Sequence, residues 1–433
     1  MKKIAIIGGG TVSHVRNHLA LAAPAYGRTA RNIYDHLQNY FIKNSKLGQQ
    51  YSERTYLTKM ANSGEGDLET NEDVSKLVDR LIADEDVKII FFNLALVDFE
   101  GSIAPGNEWN VDWDTDSASG KYETRLKTSE GKHLMVLSPA DKIVAKIRKE
   151  RKDIFLVAFK TTCGASEDEQ FLTGLHLLKS ASCNLVLAND TKTRTNMIIT
   201  PEQARYSVTK NRADALATLV EMAVERAQGT FTRSTVVEGE PVAWSSDLVP
   251  ASLRTVVDHC IAKGAYKPFK GATVGHFATK VDAETFFTSR CKTNFNKMSE
   301  VGLVKVESDG PNTVIAHGSR PSVGGQSQRI IFKEHPEADC IVHFHCPPKS
   351  EAKLSVRSQA FVECGSHQCG QNTSDGLVPT GIPGVKCVYL DKHGPNIVFN
   401  REVDPQLVID FIDQNFDLSK ATDEVDRSQV SVS

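Results

Sequence analysis

The chain has 433 residues, 24% of them charged and 40% hydrophobic, with a formal net charge of -3, which leaves room for two or three soluble globular domains. That balance excludes the basic field of a nucleic-acid binder, and no apolar run reaches the length of a membrane span, so neither nucleic acid nor a membrane is expected as a partner. Nine cysteines scattered along a long chain are an odd number; they argue against a disulfide framework and place the protein in a reducing cytoplasm.

Ile4 to Ile7 is a short buried-strand pattern running into Gly8-Gly9-Gly10-Thr11. Leu19, Ala22, Ala23, Tyr26, Ala30, Ile33 and Leu37, mostly three or four apart, predict a long helix after it. Strands follow at 87–92, 154–159 and 184–188, with helices at 73–83, 139–151, 167–180 and 211–226. This alternation predicts a doubly wound α/β domain over residues 1–228. Residues 229–250, rich in Gly, Thr, Ser, Glu and Pro, read as a linker.

Residues 251–418 open with a helix at 253–263 and continue with strands near 302–307, 313–317, 340–345, 385–390 and 397–399, then a helix at 405–416. They read as a separate α+β or layered α/β domain. The tail, 419–433, is polar and expected to fray, and the polar stretch 112–128 reads as a mobile loop.

Gly8-Gly9-Gly10-Thr11, between a strand and a helix, suits a phosphate or a plain tight turn equally well. Ser13 stands where a dinucleotide fingerprint needs its third glycine, so nicotinamide cofactors are not expected. Further pieces follow in order: Ala95-Leu96-Val97-Asp98-Phe99, Arg125-Leu126-Lys127, Leu134 to Ile143, Phe155 to Thr162, and Leu187-Ala188-Asn189-Asp190. Together they resemble phosphopantothenoylcysteine synthetase, a ligase with a Rossmann-like nucleotide fold that activates a carboxylate with a nucleotide, usually CTP, before an amine displaces the nucleotide. The resemblance implies that Gly9, Gly10 and Thr11 hold phosphate or pantothenate-like groups. It also implies that Asp98, Phe159 and Asn189 line a nucleotide pocket served by magnesium, and that Arg125 and Lys127 supply catalytic cations. The family has lysine at the place of Arg125, and an aspartate where Ser13-His14 stands here.

Cys340-Ile341-Val342-His343-Phe344-His345 reads as a buried strand that delivers two histidines to one face. Such a pair is either two hydrogen-bonded core residues or two ligands of one transition metal. Pro336 to His345, Glu363 to Gly370 and Val388 to Pro395 resemble the class II aldolase/adducin family. That resemblance adds His393 and implies a divalent-metal site, zinc by preference, built from His343, His345 and His393. The family's proton-transferring glutamate falls on Gly324. Gln326, Glu363 or a cysteine would have to replace it, with Glu363 carried forward as the catalytic candidate. The family's Gly-Asn phosphate loop reads Gly275-His276.

The sequence therefore predicts a fusion: a CTP-dependent carboxylate–amine ligase-like domain joined to a metal-dependent lyase or isomerase-like domain. Its partners would be a small carboxylate, amine or sugar-phosphate-like substrate, and both families imply a homo-oligomer. The alternative is a nucleotide-binding ligase domain carrying a non-catalytic, adducin-like assembly or ligand-sensing module.

Overall fold

The computed structural model describes residues 1–103 and 119–422. The first seven residues of the loop expected at 112–128, and the tail from 423, lie outside them. The described residues divide into two compact units. One consists of Met1–Pro201 and Ser207–Val224, the other of Glu202–Tyr206 and the chain from Glu225 onward. Both are α/β.

The first unit is built on β1 (Lys2–Gly10), β4 (Tyr51–Leu57), β5 (Val87–Ala95), β8 (Phe155–Thr162), β9 (Leu185–Asp190), β10 (Asn196–Ile199) and β11 (Arg205–Thr209). They lie in the order β11-β10-β9-β8-β5-β1-β4. The five strands from β9 to β4 pair in parallel, and β10 turns back antiparallel on β9. Near-continuous apolar runs such as Ile4-Ala5-Ile6-Ile7 and Ile89-Ile90-Phe91-Phe92 are buried, as a sheet covered on both faces requires. The covering helices are α1 (Arg28–Lys43), α2 (Asn71–Ala83), α3 (Val144–Glu150), α4 (Glu167–Ser180) and α5 (Arg212–Arg226). α2 and α4 start with full capping boxes, Thr70 with Asp73 and Ser166 with Glu169.

One expected helix is displaced. Residues from 12 to 22 form a hairpin of β2 (Val12–Arg16) and β3 (Leu19–Ala22), and α1 begins only at Arg28, after Gly27 at φ 70°. Leu19, Ala22 and Ala23 fall into helical spacing by coincidence; Pro24 and Gly27 separate them from the true helix. A second antiparallel pair, β6 (Phe99–Ile103) with β7 (Met135–Pro139), takes Pro139, expected to open a helix, and that helix begins only at Val144.

The second unit has a ten-stranded sheet. Its strands are β12 (Arg233–Val237), β13 (His276–Lys280), β14 (Thr285–Thr288), β15 (Val304–Ser308), β16 (Thr313–His317), β17 (Cys340–His343), β18 (Val356–Arg357), β19 (Val378–Pro379), β20 (Val385–Leu390) and β21 (Gly394–Phe399). The order is β12-β16-β15-β14-β13-β17-β21-β20-β18, with β19 beside β20. Residues 229–250 are thus no free linker: they supply the edge strand β12, which pairs in parallel with β16. The helices are α6 (Ala251–Ala262), α7 (Gln326–Glu334), α8 (His367–Gly376) and α9 (Pro405–Asn415). Val256, Phe277, Val342, Phe344, Phe399 and Ile412 belong to one apolar core. That core fixes β17 between β13 and β21.

Candidate functional site

In the first unit the expected residues gather at one edge of the sheet. Gly9 and Gly10 end β1, Asp98 follows β5, and Phe159 and Asn189 lie toward the ends of β8 and β9. This is the carboxyl edge of the parallel strands, beside the point between β1 and β5 where strand order reverses, and doubly wound folds bind ligands there. The glycines do not open a helix, however. A Cβ at Gly8 would meet Ala30 Cβ at 2.3 Å, and one at Gly10 would meet Ala23 O at 2.0 Å, so close chain packing explains them. The Thr11 hydroxyl is spent inside the fold: it donates to Asn71 Oδ1 at 2.7 Å and accepts from Val97 N at 2.9 Å. Asp98 is exposed and paired with Lys142 at 2.6 Å. Arg125 and Lys127 are exposed on an irregular stretch.

A cavity of about 540 Å³ adjoins Gly10 and is lined by Lys59, Met60, Ser63 and Glu69. Glu69 meets Lys121 at 2.8 Å, Lys59 at 3.0 Å and His14 at 3.4 Å. The hydrogen bond from Lys121, with help from Lys59 and against partial burial, holds its carboxyl down at about 2. Sequence reasoning missed this cluster, because its members are scattered between residues 14 and 121.

In the second unit the three histidines converge. His343 ends β17, and His345 lies two residues on; His393 sits in the turn between β20 and β21. Each offers one nitrogen, and these lie within 4.8 Å of one another. All three are buried. His343 Nδ1 is 2.7 Å from Pro395 O, and His345 Nδ1 is 3.0 Å from Glu202 O. A carbonyl only accepts, so each Nδ1 carries the proton and Nε2 keeps its lone pair. Burial pushes the His343 pKa down to about 4 and His393 well below its usual range, which keeps both neutral, as ligands must be.

Two residues not assigned to the histidine site by the sequence stand beside His343. His276 on β13 and Asn396 on β21 stand opposite it in the antiparallel ladder, so all three share a face of the sheet. The rings of His276 and His343 are 4.8 Å apart. His276 Nδ1, His393 Nδ1 and Asn396 Oδ1 are buried with no hydrogen-bond partner. Three orphaned polar atoms around neutral imidazoles are what a site for an ion and a polar ligand leaves behind in the bare protein. The residues fit a divalent metal.

Glu363 does not fit its expected part. Its carboxylate is 4% exposed and accepts from Arg226 Nη1 at 3.3 Å. Arg226 is fully buried and donates also to Glu202 Oε1 at 2.7 Å, to Ala360 O at 2.8 Å and to Gln359 O at 3.2 Å. Burial alone would lower the Arg226 pKa, but the carboxylates of Glu202 and Glu363 outweigh it and hold the guanidinium charged. A carboxylate tied to such a cation is a poor carrier of protons. Cys346 faces the apolar core, with Sγ 3.5 Å from Ala265 O and its pKa pushed up to about 12 by burial. Gln326 lies in the first turn of α7, on the wall of a cavity of about 1050 Å³ that none of the three histidines lines. The Arg329 of that cavity already donates to Gly310 O and Thr313 O.

Among solved structures, the DNA/pantothenate metabolism flavoprotein from Streptococcus pneumoniae is similar at 17% identity and a TM-score of 0.42, over 53% of this chain and 98% of that one. The C-terminal domain of the coenzyme A biosynthesis bifunctional protein CoaBC is similar at 12% identity and a TM-score of 0.34, over 51% and 91%. The L-fuculose-1-phosphate aldolase from Thermus thermophilus is similar at 17% identity and a TM-score of 0.26, over 36% and 81%. No curated protein matches the chain. No helix among the described residues is long and apolar enough to cross a membrane. Residues 259–353, which hold His276, His343 and His345 and stop short of His393, match the family model described as Class II Aldolase and Adducin N-terminal domain.

Proposed function

We propose that the second unit is a divalent-metal-dependent enzyme of the lyase or isomerase type, with zinc the fitting ion and a small hydroxy-carbonyl or sugar-phosphate-like compound the substrate. The observation that carries this reading is the set of three buried histidines with ligand nitrogens within 4.8 Å, two of them held in one tautomer by backbone carbonyls. A divalent ion bound there supplies Lewis-acid polarisation of a substrate carbonyl. The chain itself excludes bulk water from the imidazoles and orients their rings through Pro395 O and Glu202 O. His276 Nδ1 and Asn396 Oδ1 offer hydrogen bonds to a ligand's hydroxyl groups.

The same proposal makes the first unit a nucleotide-dependent carboxylate–amine ligase using CTP or a related nucleotide with magnesium. Asp98, Phe159 and Asn189 at the carboxyl edge of its sheet support it, as does the cavity beside Gly10 lined by Lys59 and Ser63. Self-association into a homo-oligomer belongs to the proposal too.

Metal analysis of the purified protein tests the first part: about one zinc or similar ion per chain, lost with His343→Ala, is expected. Pyrophosphate or monophosphate released from CTP in the presence of a carboxylate and an amine tests the second; failure to bind any nucleotide would sink it. One feature favours the alternative of a non-catalytic sensing module. Gly324 stands where the proton-carrying glutamate is expected, and Glu363 is tied to Arg226. A chain that binds metal and a hydroxy-carbonyl ligand yet never turns it over would establish that alternative.

A further inference from the structure

A short segment, Glu202–Tyr206, belongs to the second unit although the chain on either side of it belongs to the first. It reaches two of the three histidine-bearing stretches. Glu202 O fixes His345 Nδ1, while Arg205 O accepts from Lys392 Nζ at 3.1 Å, next to His393. The Tyr206 ring lies 5.0 Å from Lys392 Nζ and 6.0 Å from the Arg226 guanidinium. What anchors the segment is Glu202, whose two carboxylate oxygens meet Arg226 at 2.7 and 3.4 Å with no exposed surface on either side chain. Arg226 in turn is clamped by Glu363 and by the carbonyls of Gln359 and Ala360.

We propose that the buried Glu202–Arg226–Glu363 network is a positioning device for the histidine site: through Glu202 O it sets the ring of His345. The proposal rests on the metal reading above. A ligating imidazole is oriented by what its other nitrogen donates to, and for His345 that acceptor is a backbone atom of a residue whose side chain is locked in an ion pair. Releasing Arg226 frees the carbonyl as well as the carboxylate. None of the three belongs to the histidine cluster itself, so each acts through His345.

Cobalt(II) titration of the full chain tests this, followed by its visible d–d absorption and by equilibrium dialysis. The expected result is a tetrahedral-type cobalt spectrum in the parent protein, abolished by His343→Ala. Glu202→Gln and Arg226→Met should weaken cobalt binding about 10–100-fold and shift the d–d bands, since loss of an outer-shell partner costs that much affinity. Glu363→Gln should do the same to a smaller degree. A parent protein that binds no cobalt overturns the metal reading itself. A parent that binds, with Glu202→Gln and Arg226→Met folded and giving its affinity and its spectrum unchanged, overturns the positioning role alone. If Arg226→Met does not fold, Glu202→Gln and Glu363→Gln, which keep volume and hydrogen bonding, decide the question by the same two readouts.

Discussion

Gly394 couples the fold to the site, and Gly394→Ala is the sharpest perturbation of that coupling. The residue follows His393 and opens β21 with φ at +146°, a conformation that side chains other than hydrogen rarely adopt. A Cβ there would lie 2.0 Å from Phe344 O, 3.0 Å from Phe344 C and 3.2 Å from His345 Cα. Phe344 is the residue between His343 and His345. Seating the methyl therefore requires roughly 1 Å of separation between that backbone and His393, and sites tolerate only about 0.5 Å. Backbone strain of about 1–3 kcal/mol and overpacking of about 1–3 kcal/mol give about 2–6 kcal/mol together. At roughly 2–4 °C per kcal/mol, the melting transition of the second unit should fall by roughly 4–24 °C. Gly310→Ala separates strain from clash, because Gly310 has φ at +89° and nothing within 4 Å of where its Cβ would stand. Thermal unfolding by circular dichroism and cobalt titration are run on both variants. The reasoning is refuted if Gly394→Ala melts with Gly310→Ala and binds cobalt as tightly as the parent.

Three further outcomes are expected. Glu69 titrates at about 2 in the folded first unit against an ordinary 4.5, so the unfolded chain takes up its proton first as pH falls. Its stabilising contribution is complete above about pH 4.5 and is lost toward pH 2. The melting gap between parent and Glu69→Gln should close over that window, and a gap that stays constant there contradicts the assignment. Thiol reagents should modify the exposed Cys163 and Cys291 in the native protein and spare Cys346; rapid labelling of Cys346, or loss of cobalt binding in Cys346→Ala, would contradict its place in the core. Asn396→Leu removes an orphaned buried carbonyl and should melt no lower than the parent. It should also weaken binding of a short hydroxyketone to the zinc-loaded protein by about tenfold, one hydrogen bond's worth. Unchanged affinity would place Asn396 outside the ligand's reach.

The parallel core of the first unit was legible because buried parallel strands are unbroken apolar runs, and Val87 to Phe92 or Ile154 to Phe159 have no other reading. The 12–22 hairpin was not, since a few alanines and leucines satisfy helical spacing as easily as they alternate across a ribbon. The pair His343 and His345 announced itself by spacing alone, although β17 ends at His343 and His345 reaches the site from beyond the strand. His276 and Asn396 did not, because their relation to His343 is one of sheet register, which joins residues 67 and 53 positions away only after β13, β17 and β21 have paired.

Glu363 shows why charge is the least legible property of all. In the sequence it is a carboxylate near a missing one, and a catalytic part follows naturally. In the fold it is bound to Arg226, 137 residues earlier, and that buried guanidinium is itself held by Glu202 and two carbonyls. The same side chain exposed to solvent would be free to exchange protons; buried against a fixed cation it becomes part of the scaffold. His276 Nδ1 and Asn396 Oδ1, which share a sheet face with His343, are buried polar atoms that no such pairing holds.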